Sequence, residues 1–187
     1  MQEDQEVTGP FRKLANEELN RLSVEEFKTS SKLHLVVVLD NVRSLHNIGS
    51  IFRTCDAFRV ASIFLCGISA TPPHREIHKS ALGAEHSVDW KYFAQTEEAL
   101  SFLREKGYKL ITVEQTENST LLGDFTPAGD EKYGLIFGNE VHGVSQSVTD
   151  LSDMTLEIPQ LGTKHSFNVS VTAGIVLWDL FRKLQIS

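Results

Sequence analysis

The chain reads as an α/β protein with a mainly parallel sheet flanked by helices. Three observations carry that reading. Residues 35–39, Leu-Val-Val-Val-Leu, form an unbroken apolar run of the kind a strand buried on both faces requires. A second such run, Ser62-Ile63-Phe64-Leu65-Cys66, follows after one helix-length segment. From there strand-like and helix-like stretches keep alternating, the pattern of strands joined by helical crossovers.

Residues 1–10 are polar and are expected to be disordered. From 11 to 31, Leu14, Leu19, Leu22 and Phe27 with interleaved charges predict one or two amphipathic helices. A strand over 35–39 leads through a loop at 40–46 into a helix over 48–58, with Asn47 at or before its start, where Asn caps well. After the strand at 62–66 comes a Pro- and His-rich loop, 70–79, then a short helix at 80–84. A strand at 88–93, a helix at 96–106 and strands at 109–113 and 133–137 complete the middle of the chain. A last strand ends near Ile158. Ser170, Thr172, Ala173 and Gly174 then open an apolar helical segment that runs to Phe181.

With 187 residues, one domain is expected. No stretch approaches the roughly 20 apolar residues of a membrane span, and the acidic start, Met1 to Glu6, is unlike a secretory signal. Cys55 and Cys66 sit among apolar neighbours and suit buried, reduced thiols, so the expected compartment is cytoplasmic. His and Cys do not fall at metal-ligand spacing, so no metal is expected. The net charge of −7 is uneven: residues 41–91 carry six Lys/Arg against four Asp/Glu, and residues 92–187 carry seven against thirteen. A basic face on an acidic protein remains open, although the total weighs against tight non-specific RNA affinity.

Chemistry concentrates in three segments. Residues 158–175, Ile-Pro-Gln-Leu-Gly-Thr-Lys-His-Ser-Phe-Asn-Val-Ser-Val-Thr-Ala-Gly-Ile, read as strand end, loop and helix start. They put His165, Ser166 and Asn168 where a helix presents free N–H groups. Gly138 closes a buried strand, and its spacing to Gly143 mimics a phosphate loop. Val144 stands where that loop needs Lys, so nucleoside-triphosphate binding is excluded. An early G-x-G-x-x-G is missing after the first strand, which counts against a dinucleotide-dependent oxidoreductase. Arg53 lies amid Ile51, Phe52, Cys55 and Phe58 and needs a phosphate or carboxylate partner, with Asp56 or Glu140 as candidates within the chain.

Residues 158–175 resemble the third signature motif of the SpoU (TrmH) class of SPOUT RNA methyltransferases. Residues 47–58 (Asn47-x-Gly49-x-x-x-Arg53) resemble its first motif, and residues 137–145 (Gly138-x-Glu140-x-x-Gly143) its second. Departures are Gln160, Phe167 and Asn139. Beside the N-terminal helical extension, partly disordered, that the residues suggest over 1–33, the resemblance implies a SpoU/SPOUT domain over 34–187 with a C-terminal trefoil knot. It implies a homodimer with its site at the subunit interface, the cofactor S-adenosylmethionine (SAM), and a ribose 2′-hydroxyl of tRNA or rRNA as methyl acceptor. Asn47, Arg53, Glu140, Ser166 and Asn168 match the catalytic positions. Gly138, Ile158 and Phe167, with Thr112 and Leu161, are the expected cofactor contacts. Arg53, His74, Arg75 and Lys79 are the expected RNA contacts, with His78 in the same loop. Arg53 is read as gripping a phosphate, since a guanidinium does not readily act as a base. Glu140 is read as holding Arg53 or Asn47, or as a helix-start carboxylate. The competing reading is a catalytically silent RNA-binding module on the same fold.

Overall fold

A computed structural model describes residues 11–184. The disorder expected for residues 1–10 lies outside them. Strand β1 (Leu33–Asp40) alternates its side chains between two cores, as the period of two dictates. Leu35, Val37 and Leu39 enter one apolar cluster, and Val36 and Val38 enter the other. Helix α2 (Leu45–Ala57) and strand β2 (Val60–Cys66) follow. Next come α3 (Arg75–Ala81), α4 (Ala84–Ser87), β3 (Asp89–Phe93) and α5 (Thr96–Glu105). Strands β4 (Tyr108–Val113), β5 (Thr120–Leu121) and β6 (Lys132–Phe137) precede α6 (Gln146–Thr149), β7 (Met154–Glu157) and α7 (Val169–Leu184).

The seven strands order as β3-β2-β1-β6-β4-β7-β5, and every ladder is parallel. Helices α2, α3 and α7 cover the face of Leu35, Val37 and Leu39. On the opposite face α5 buries Ala99, Leu100 and Leu103 against Val36, Val38 and Phe64. Because all strands run the same way, their C-terminal ends meet along one edge, where α/β proteins hold ligands.

Three expectations need correction. The segment from 11 to 31 forms only a 3₁₀ turn (Asn16–Leu19) and α1 (Val24–Thr29). Leu14, Leu19 and Leu22 stay exposed, and only Phe27 is buried, so its apolar pattern has no core beneath it here. The loop expected at 70–79 is helical from Arg75 onward, capped by His74, whose Nδ1 accepts from the Glu76 N–H. Exposed polar residues hid the two positions that α3 buries, Ile77 and Ala81, one helical turn apart. The helix expected from 48 begins at Leu45, and its cap is Ser44 rather than Asn47.

Cys55 and Cys66 are buried and unpaired with each other. Burial pushes the Cys66 thiol up to about 12 and raises Cys55 further, which leaves both unreactive. No helix among the described residues is long and apolar enough to cross a membrane.

Candidate active site

A cleft of about 640 Å³ opens at the C-terminal ends of β4, β6 and β7 and against the start of α7. Its walls come from residues 113–115 after β4, residues 137–144 after β6, residues 156–158 and 160 after β7, and residues 165–169. The first and last of these segments meet directly, since the Gln115 amide donates to the His165 carbonyl at 3.0 Å.

The loop after β6 owes its shape to Gly138. A Cβ there would stand 2.1 Å from the Gly143 carbonyl carbon and 2.2 Å from the Val144 nitrogen. The loop closes on itself through paired backbone bonds between Asn139 and Gly143 at 2.9 and 3.0 Å. The Asn139 side chain accepts from the Val141 N–H at 2.8 Å and donates to the Asn41 carbonyl at 2.8 Å. Gly143 sits at φ +66, where side chains are strained, and the Glu114 carboxylate fills the space a Cβ would need. The same carboxylate accepts from the Val144 N–H at 3.1 Å.

That folding aims Glu140 at the start of α2. Its carboxylate accepts from the Arg43 N–H at 3.0 Å, the Ser44 N–H at 2.9 Å and the Asn47 amide at 3.0 Å. Partial burial alone would raise its pKa. The Arg43 and Ser44 N–H groups, with the Asn47 amide, outweigh burial and hold the carboxyl below its usual range. Glu140 is thus a helix-start carboxylate, but for α2 rather than for its own segment.

Asn47 passes the chain of bonds onward. Its side-chain oxygen Oδ1 accepts from the Asn168 amide at 3.2 Å, and Ser170 Oγ reaches the same oxygen at 3.5 Å. Asn168 caps α7: its side-chain oxygen accepts from the Ser170 N–H at 2.9 Å and from Ser170 Oγ at 2.7 Å. A continuous polar chain, Glu140 to Asn47 to Asn168 to Ser170, therefore ties three distant segments together beside the cleft. The buried Asn47 is its centre.

The other expected site residues divide. Gly138, Ile158, Ser166 and Phe167 line the cleft, and Phe167 is 42% exposed. Thr112 does not line it: the side chain is fully buried and pairs with Ser152 Oγ at 2.7 Å. The three residues after it take its place, because ligands meet a parallel sheet beyond the strand ends. Leu161 points wholly into solvent. Glu114 and Gln115 escaped the sequence reading, which had His165 in the polar trio of the loop and Ser170 only among the small residues at the helix start. The strand end at Val113 was the signal that could have found the first two.

Arg53 departs furthest from expectation. It is exposed, six residues and about 120° around the helix from Asn47. It lines a separate groove of about 890 Å³ with Arg21, Asp56 and Arg59. Neither expected intrachain partner is bonded to it: Asp56 accepts from Ser87 Oγ and Glu140 holds the start of α2. His74, Arg75, His78 and Lys79 sit at the cap and on the exposed side of α3, away from the cleft, and Lys79 pairs with Glu76 at 2.8 Å.

Residues 34–178 match the model of the SpoU rRNA Methylase family. The tRNA (guanosine(18)-2′-O)-methyltransferase of Thermus thermophilus is 30% identical over 167 residues, covering 89% of this chain and 84% of that protein. A TrmH family protein of Staphylococcus saprophyticus is 30% identical over 160 residues, 86% of this chain, and the chain spans 63% of its length. The solved SpoU methyltransferase AviRb of Streptomyces viridochromogenes, in complex with its cofactor AdoMet, superposes with a TM-score of 0.71 at 26% identity. That superposition covers 83% of this chain and 62% of AviRb. The chain belongs to the SpoU rRNA methylase family.

Proposed function

We propose that the protein is a SAM-dependent RNA methyltransferase that modifies a ribose 2′-hydroxyl of tRNA or rRNA and works as a homodimer. The observation that carries this reading is the polar chain of Glu140, Asn47 and Asn168, which draws the three motif segments together at a cleft with an aromatic wall. The cleft suits SAM: Ile158 and Phe167 offer an apolar surface to a purine, and backbone N–H and carbonyl groups surround them. The AdoMet complex of AviRb supports the same cofactor. When bound there, SAM would supply an electrophilic methyl group on its sulfonium sulfur.

The remaining work falls to side chains of this protein. Asn168 and Ser166 stand at the mouth of the cleft and orient the ribose, and Asn47 fixes Asn168. Arg53 faces away from the cleft of its own chain, so it serves the cleft of a second copy, where it grips the RNA phosphate through its planar fork. An apolar patch supports such pairing. Trp178, 52% exposed, stacks with Phe181 at 6.0 Å, Phe58 joins both, and Val171 is exposed on the same helix. As the ribose oxygen bonds the methyl carbon, the carbon–sulfur bond would break with its electron pair left on sulfur as a neutral thioether, and the hydroxyl proton would pass to water. This reading includes the knotted threading of the C-terminal segment that the resemblance implies, and a domain beginning near residue 34.

An RNA carrying a single 2′-deoxy nucleotide at the modified position tests the acceptor atom. It should bind as well as the ribose form and accept no methyl group. Methylation persisting on the deoxy substrate would place the acceptor on a base and overturn the assignment.

A further inference from the structure

The corner between α3 and α4 gathers three potential metal ligands that the cleft does not use. Spacing along the chain gave no reason to expect them together, since His78 and Glu85 belong to different helices. Leu82 and Gly83, both left-handed at φ +53 and φ +94, fold α4 back and bring them into contact. One ligand atom each from His78, Glu85 and His86 lies within 4.8 Å of the others. His78 Nδ1 is 2.5 Å from Glu85 Oε1, and His86 Nε2 is 3.7 Å from the same oxygen.

A second observation points to a ligand. The Glu85 side chain is only 5% exposed, and its Oε2 is buried with no hydrogen-bond partner. A buried carboxylate oxygen without a donor is uncommon in a native fold. The two imidazoles beside it are 63% and 67% exposed, so an ion could reach both rings from solvent.

We propose that His78, Glu85 and His86 bind one divalent transition-metal ion, Zn²⁺ by preference, which staples α3 to α4. Two imidazole nitrogens and one carboxylate oxygen are the donor set that Zn²⁺ takes at three of four tetrahedral positions, with water at the fourth. Mg²⁺ and Ca²⁺ need more oxygen ligands than the corner offers. With bonds near 2.1 Å, tetrahedral ligand atoms stand about 3.3 Å apart. The His86 to Glu85 separation is already close to that. His78 must back away by under about 1 Å, which its exposed ring allows.

The staple would act on the helix that carries Asn47 and Arg53. Helices of seven and four residues do not hold themselves together. Each hydrogen-bonds α2 through one side chain: Ser80 Oγ donates to the His46 carbonyl at 3.0 Å, and Ser87 Oγ donates to the Asp56 carboxylate. Gly49 lies so near Ser80 Oγ and the Ile77 carbonyl that a Cβ would clash with both. Fixing α3 against α4 fixes both hydrogen bonds at once.

The test uses the full chain, treated with a chelator and then titrated with ZnCl₂ alone by calorimetry, with melting followed in parallel. One Zn²⁺ should bind per chain and raise the melting temperature by several degrees, while MgCl₂ does neither. The double variant His78→Asn/His86→Asn also removes the His78 contact to Glu85, so its own metal-free melting temperature is the baseline for any Zn²⁺ effect. Its Zn²⁺ affinity should fall by about tenfold or more, and the stabilisation should vanish. Absence of stoichiometric binding in the wild type would overturn the proposal. So would equal binding in the double variant, which would place the ion elsewhere on the surface.

Discussion

Glu140 shows how a single side chain can serve fold and site together. It neutralises two backbone donors at the start of α2 and holds the Asn47 amide, so replacing it with Gln removes a charge from a helix N-terminus. The expected cost of Glu140→Gln is about 1 kcal/mol near neutral pH. Its sign with pH follows from the depressed carboxyl pKa. The stabilisation is complete above the unfolded value of about 4.3 and is lost as pH falls through the lower folded value. Melting curves of wild type and variant should therefore differ at pH 7 and converge only once pH falls below the depressed folded value; a gap independent of pH would rule out the charge as its cause. Gly138 supplies a second residue-scale test. Gly138→Ala should shift the Asn139 to Gly143 loop, cost about 1–3 kcal/mol, and weaken SAM binding measured by calorimetry. Unchanged SAM affinity in a folded Gly138→Ala protein would remove the cofactor from this cleft.

At the scale of elements, α2 divides its surface between two tasks. One side carries Asn47 into the polar chain with Glu140 and Asn168, and another carries Arg53 into a different groove. Arg53→Ala and Asn168→Ala chains should each give dimers with about a hundredfold less turnover or worse, and Arg53→Ala should keep its SAM affinity. Co-expressed with separate tags, the two should form hybrids that hold one intact site of two. With half of all dimers hybrid, about a quarter of wild-type activity should return. A mixture as inactive as its parents would put Arg53 in the site of its own chain. This division was partly legible beforehand, because six residues along a helix do not return to the same face. The long strands were legible as well, since buried parallel strands are continuous apolar runs such as residues 35–39. What escaped were elements too short for any period to register, β5 and α6 among them. The capping of α2 also escaped, since the carboxylate that completes it comes from almost a hundred residues away.

For the whole molecule, the cleft lies where parallel strands end, and the apolar patch at Trp178, Phe181 and Phe58 runs along the helix whose start closes that cleft. The seven-stranded fold explains why Thr112 and Leu161 misled: one is turned into the sheet packing and the other away from the protein altogether. Both were placed from the motif and the strand register, which fix position along the chain but not which way a side chain turns. The most direct measurement supplies methyl-labelled SAM and purified tRNA and rRNA from cells lacking this gene, then digests the RNA to nucleosides for mass spectrometry. Label in one 2′-O-methylnucleoside is the expected result. Label confined to a methylated base, or no transfer to any RNA by the folded protein, would contradict it.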